Sequence, residues 1–147
     1  MLIKIITAVA YVAMVTINFL ANGLPINNRS TRAISDAYPN LFVPAKTAFF
    51  IWGLIYLLLG GYVVYQFTKS GQKKEELLKK INSLFITTSF ANIAWIFAWH
   101  YDYIGFSVLI MAVLLILLIK IADILRTEQF TALEKIFIWA SFSIYFG

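Results

Sequence analysis

The sequence predicts an all-α integral membrane protein folded as one domain over residues 1–147. Three observations predict it. Charged residues make up 13% of the chain and hydrophobic ones 61%, whereas a soluble domain carries about 25% charge. Mean hydropathy is +0.82. Finally, no residue from Thr47 to Thr68 is charged, a run of 22 residues. As a helix that run spans roughly 33 Å, the depth of a bilayer's hydrocarbon core.

The first predicted span is residues 5–24, uncharged and long enough to cross. Its amino-terminal flank holds one lysine, Lys4, and its apolar run exceeds the usual core of a cleavable signal. Asn18 and Asn22 are four residues apart and share a face. The simpler role for them is bonding to neighbouring helices or to the headgroup layer; the alternative is lining a cavity. Residues 25–46 form a polar loop broken by Pro25, Pro39 and Pro44. It is long for a bundle connection, and long loops carry function or disorder. A short turn is expected at Ser35–Tyr38.

The second span is 47–67, opened by Pro44, where a missing N–H costs least. Trp52, Tyr56 and Gly60 recur every four residues and form a stripe along one face. Residues 69–80 carry five lysines against Glu75 and Glu76, a solvated connection turning helical at its end. The third span, 81–101, is charge-free but polar, with Asn82, Ser83, Thr87, Thr88, Ser89 and Asn92. Such side chains must be satisfied inside a bundle. Asn92, Trp95 and Trp99 share a face, which Thr88 extends. The fourth span, 103–120, is almost wholly aliphatic and reads as the most lipid-exposed helix, with Lys120 able to snorkel. Asp123 to Lys135 reads as a charged linker. The last run, 136–147, has 12 residues and reaches only about 18 Å, so a partial fifth span is expected there.

Two of these stretches carry a family resemblance. Trp52-Gly53-Leu54-Ile55-Tyr56-Leu57-Leu58-Leu59-Gly60, preceded by Pro44, resembles the second helix of the translocator-protein family (TspO/MBR, tryptophan-rich sensory proteins), with its W-x-x-L-Y-x-x-M-G pattern. Asn92-Ile93-Ala94-Trp95 matches the N-x-x-W of that family's third helix. Ser143 to Gly147 resembles the start of its fifth. The chain departs from the pattern at Val43, Lys46 and Phe50, where members commonly carry Pro, Trp and Pro, and so resembles a divergent branch. The resemblance implies a TspO-like bundle of five transmembrane helices, the fifth incomplete in this chain, and a first loop folded over a pocket mouth. It implies binding of porphyrins and other tetrapyrroles, or sterols, with a sensory or regulatory role, in a bacterial cytoplasmic membrane.

No G-x-S-x-G, P-loop or H-E-x-x-H motif is present, so a hydrolase or nucleotide-driven enzyme is not expected. With no cysteine, neither a disulfide framework nor a cysteine-held metal is expected, and no metal site is assigned. His100 is the single histidine. It has the chemistry of an axial haem ligand, but an interfacial histidine at a span's end needs no such role. No cofactor is required by the pattern; porphyrin or haem enters as a ligand. The ligand-binding candidates are Pro44, Trp52, Tyr56, Asn92, Trp95 and Trp99. Aromatic walls with a few polar anchors, here Asn92 and the Tyr56 hydroxyl, suit a flat apolar molecule; ordinary helix packing is the competing role.

A small secondary transporter is the alternative, supported only by the polar third span. A tetrapyrrole-modifying membrane enzyme is the third reading. The expected partners are the lipid bilayer, a hydrophobic small molecule and, as an open option, a second copy in a homodimer; nucleic acid is not expected, because the net charge of +5 fits basic cytoplasmic loops. With the N-terminus inside, nine lysines and arginines face the cytoplasm and three (Arg29, Arg32, Lys46) lie outside, which predicts a cytoplasmic N-terminus.

Overall fold

Helix α1, Leu2–Gly23, is held by apolar packing along one face, burying Thr7, Ala10, Met14, Asn18 and Ala21. The computed structural model describes residues 1–24, 26–37 and 51–147, and of Arg32, Ser35 and Asp36 only the backbone. Beyond α1 the chain makes a 3-10 turn, Ile26–Asn28. Asn27 and Asn28 have φ of 53° and 59°, a left-handed conformation that asparagine tolerates better than most residues. Helix α2, Thr31–Ala37, follows. The sequence suggested only a short turn at Ser35–Tyr38. The helix forms because Ser30 Oγ accepts the Ala33 N–H at 3.2 Å and Ile34 is fully buried. Tyr38 and Pro44 lie outside the described residues.

Helix α3 is described over Ile51–Tyr65; the expected beginning of its span at Thr47 lies outside the described residues. Thr68 caps the short α4, Lys69–Lys73, its Oγ1 accepting the Gly71 N–H at 3.1 Å. Helix α5 runs Glu75–His100 and α6 runs Ile104–Arg126. The lysine-rich connection is therefore mostly helical, and the charged linker expected from Asp123 belongs to α6 as far as Arg126. Hydropathy marks only the apolar part of a helix. The ends continue because Glu75 and Glu76 favour the amino-terminal dipole of α5 and Arg126 the carboxy-terminal dipole of α6. Asp102, with φ 58°, makes the tight corner between α5 and α6.

The final helix begins at Ala132, not Ile136, because Thr131 and Glu134 form a capping box. It comprises α7, Ala132–Glu134, a π turn, Lys135–Ala140, and α8, Ser141–Phe146. Ser141 Oγ sits at the end of the π turn, 3.0 Å from the Phe137 carbonyl oxygen and 2.9 Å from that of Leu58 on α3.

These helices close a ring. α1 packs on α3, α3 on the final helix, the final helix on α6, α6 on α5, and α5 back on α1. Inside the ring three aromatic rings meet edge to face: Tyr62–Phe142 at 4.8 Å, Phe85–Phe142 at 5.4 Å and Tyr62–Phe85 at 5.9 Å, within the favourable range for such pairs. Around them lie Met14, Leu59, Leu78, Ile81, Ile121 and Ile138. Toward the end that holds the N-terminus, a buried polar chain ties three helices. Tyr62 Oη donates to Asn82 Oδ1 (2.6 Å), Asn82 Nδ2 to Gln66 Oε1 (2.9 Å), and Gln66 Nε2 to the Lys4 carbonyl (3.4 Å). α1, α5 and α6 are long and apolar enough to cross a membrane, and α6 is the least buried of the three within the bundle.

Candidate functional site

At the end of the ring opposite the N-terminus, α1, α2, α3 and α5 diverge and leave a cleft of about 330 Å³. That volume lies at the small end of ligand pockets, which span about 300–1,000 Å³. Helix α1 presents Val15, Asn18, Phe19 and Asn22 to it; α3 presents Trp52 and Tyr56; α5 presents Trp95 and Ile96; α2 presents Thr31. The i, i+3, i+4, i+7 spacing of the α1 set places all four on one helical face.

The walls are aromatic. Trp52 and Tyr56 have ring centroids 6.0 Å apart with planes tilted 32°. Trp95 stacks on Trp99 at 5.7 Å and 19°. Trp99 stands behind Trp95, and its indole N–H donates to the Thr31 carbonyl at 3.2 Å, pinning α2 onto α5. The indole N–H groups of Trp52 and Trp95 and the Tyr56 hydroxyl have no partner among the described residues, so three donors in the cleft remain available.

The floor is amide. Asn18 Nδ2 donates to Asn92 Oδ1 at 2.6 Å and to the Met14 carbonyl at 2.9 Å. Asn22 Nδ2 donates to the Asn18 carbonyl at 2.9 Å. Asn92 is 1% exposed and reaches the cleft only through Asn18. The Tyr145 hydroxyl is buried beside Asn92 without a well-formed hydrogen bond.

The structure thus brings Trp52, Tyr56 and Trp95 to one cleft, with Asn92 beneath it and Trp99 behind it. Pro44 lies outside the described residues. Gly60 turns away from the stripe: a Cβ there would stand 2.7 Å from Tyr11 Oη, and that hydroxyl donates to the Tyr56 carbonyl at 2.8 Å. Eight residues of helix advance about 80° beyond two full turns, enough to rotate Gly60 out of the cleft. Asn18 does both things weighed for it, bonding to a neighbouring helix and lining the cavity, whereas Asn22 lines the cavity and bonds within its own helix. Val15, Phe19 and Thr31 were not among the candidates. The first two were findable from their register with Asn18; Thr31 was not, since its place depends on the docking of α2.

His100, the last residue of α5, is fully buried. Its Nδ1 lies 2.7 Å from the Ile96 carbonyl oxygen, the His100 carbonyl accepts from Asn27 Nδ2 at 3.0 Å, and His100 does not line the cleft. Nearby, Arg29 and Asp102 pair at 3.2 Å on the surface. A larger concavity of about 790 Å³ lies between α1, α3 and the final helix around Tyr11, Gly60, Gly61, Val64 and Phe137. It is almost wholly apolar and lacks the donors of the smaller cleft. No group of three or more metal-ligating side chains occurs among the described residues.

A family model described as TSPO-like protein matches residues 4–147. No curated protein and no solved structure matches the chain.

Proposed function

Because the chain belongs to the TSPO-like protein family, and so is an integral membrane protein, we propose that it is a membrane receptor for a hydrophobic planar ligand, a porphyrin-type tetrapyrrole or a sterol, with a sensory or regulatory role. The observation that carries the reading is the cleft between α1, α3 and α5. Trp52, Tyr56 and Trp95 offer flat apolar faces and three donors without a partner among the described residues, above a floor of paired amides. A flat ring system would lie against the indoles, and a carboxylate, carbonyl or hydroxyl at its edge would take the Tyr56 or indole hydrogens.

The test is tryptophan fluorescence during porphyrin titration in detergent. Saturable quenching is expected, weakened about tenfold or more by Trp95→Phe with Tyr56→Phe together; no saturable quenching overturns the reading. We also propose that the five packed helices all lie in the bilayer, with the N-terminus cytoplasmic. The charge asymmetry supports this: nine of the twelve lysines and arginines lie toward the amino-terminal end of the ring. The chain has no cysteine, so single cysteines at the exposed positions 72 and 103 report sidedness cleanly. Labelling of position 72 from outside intact cells would reverse the assignment.

A further inference from the structure

Where α6 leaves its apolar stretch, it and the final helix frame a concavity of about 600 Å³, lined by Leu125, Arg126, Glu128, Phe130, Lys135 and Trp139 among others. It lies at the basic, amino-terminal end of the ring, away from the aromatic cleft. We propose that it binds the headgroup of an anionic glycerophospholipid, phosphatidylglycerol in type.

Four features combine. First, the cations are underused. Lys135 is exposed and has no anionic partner among the described residues, and Arg126 meets Asp123 only at 3.7 Å on an open surface, a weak pairing. Second, the acid in the lining is already answered. Lys74 lies 3.3 Å from Glu128, donates to the Gln129 carbonyl at 3.1 Å and sits over the Phe130 ring at 5.7 Å. A phosphodiester entering the concavity therefore meets two available cations and no unpaired carboxylate of the lining.

Third, Trp139 is 48% exposed and its indole N–H has no acceptor among the described residues. A half-exposed indole beside exposed basic side chains is suited to the headgroup layer. Lys135 and Trp139 lie about one turn apart and so share a side of the helix. Fourth, α6 carries an exposed apolar stripe in register with Arg126. Leu115, Ile119 and Arg126 lie on one face of α6, and Leu115 and Ile119 are 50% and 40% exposed. An acyl chain running down that stripe would carry its phosphate to Arg126, Lys135 and the Trp139 N–H. Basic pockets between helices at the cytoplasmic boundary recognise anionic headgroups in this manner.

The experiment compares phosphatidylglycerol with phosphatidylcholine of identical acyl chains. The purified chain in neutral detergent is read by native mass spectrometry for retained lipid and by melting temperature. One phosphatidylglycerol should be retained in preference, roughly fivefold for each cation engaged, and should raise the melting temperature. Arg126→Gln with Lys135→Gln should abolish the preference, and Trp139→Phe should reduce it. Should the double variant fail to fold, Lys135→Gln and Trp139→Phe decide singly. Lys79→Gln with Lys80→Gln, at the same end but outside the concavity, should keep the preference. Equal loss in that control would mean general surface charge and overturn the site. Equal retention of phosphatidylcholine, or equal stabilisation by soluble glycerol phosphate, would overturn a lipid as the occupant.

Discussion

Asn18 uses both of its amide hydrogens, one on the Met14 carbonyl and one on Asn92. The pairing joins α1 to α5 across 74 residues of sequence in a medium with no water to replace it. Asn92→Leu removes the acceptor and leaves the Asn18 amide half-satisfied. A loss of about 1–3 kcal/mol is expected, the usual penalty for a buried polar group deprived of its partner. Asn18→Leu with Asn92→Leu should lose less than the two single losses together, because no orphan remains. Melting in one detergent for all four chains checks it, and strict additivity would mean the amides do not act as a pair. The aromatic part of the cleft was legible from spacing alone: Trp52 with Tyr56, and Asn92 with Trp95, recur at helical intervals. The amide contact was not, since nothing in local spacing says which face of α1 meets which face of α5.

Helix ends were the least legible elements, and their capping chemistry explains why. Burial alone would push the Glu134 carboxyl up. Hydrogen bonds from the Thr131 backbone and hydroxyl, the nearby Lys74 ammonium and the Tyr65 hydroxyl outweigh that and hold it below its ordinary value of 4.5. A carboxyl lowered on folding stabilises the protein above its unfolded pKa, and that contribution is lost as pH falls through the lower folded value. The final helix should therefore loosen only below about pH 4.5, and Glu134→Gln should remove this acid sensitivity while costing about 1 kcal/mol at neutral pH. Hydrogen exchange of residues 132–140 against pH is the measurement. The junction of α3 and α4 makes a second prediction. A Cβ at Gly71 would lie 2.4 Å from the Tyr65 carbonyl oxygen, and a backbone group cannot move aside as a side chain can. Gly71→Ala should destabilise the chain by more than 1 kcal/mol, about the size of a typical point change, and unfold α4 first; unchanged melting would show that this corner is free to open.

Across the whole molecule, the ring order of the helices places aromatic residues at one end, a packed centre, and polar and basic residues at the other. The apolar spans and charge asymmetry that underlie this were plain in the sequence, while the closure of the ring rests on contacts far apart along the chain. The meeting of Tyr62, Phe85 and Phe142 lies below the cleft and above the Asn82–Gln66 chain, with Leu59, Ile81 and Ile138 around it. Those three rings work as a stopper. A molecule entering from the cleft side meets a hydrocarbon seal, with no wetted passage past it among the described residues. It must leave by the doorway it used or sideways between helices into the lipid. Proteoliposomes bearing the protein should therefore hold a proton gradient as tightly as empty vesicles, and should begin to leak once Phe85→Ala and Phe142→Ala together unstop the neck.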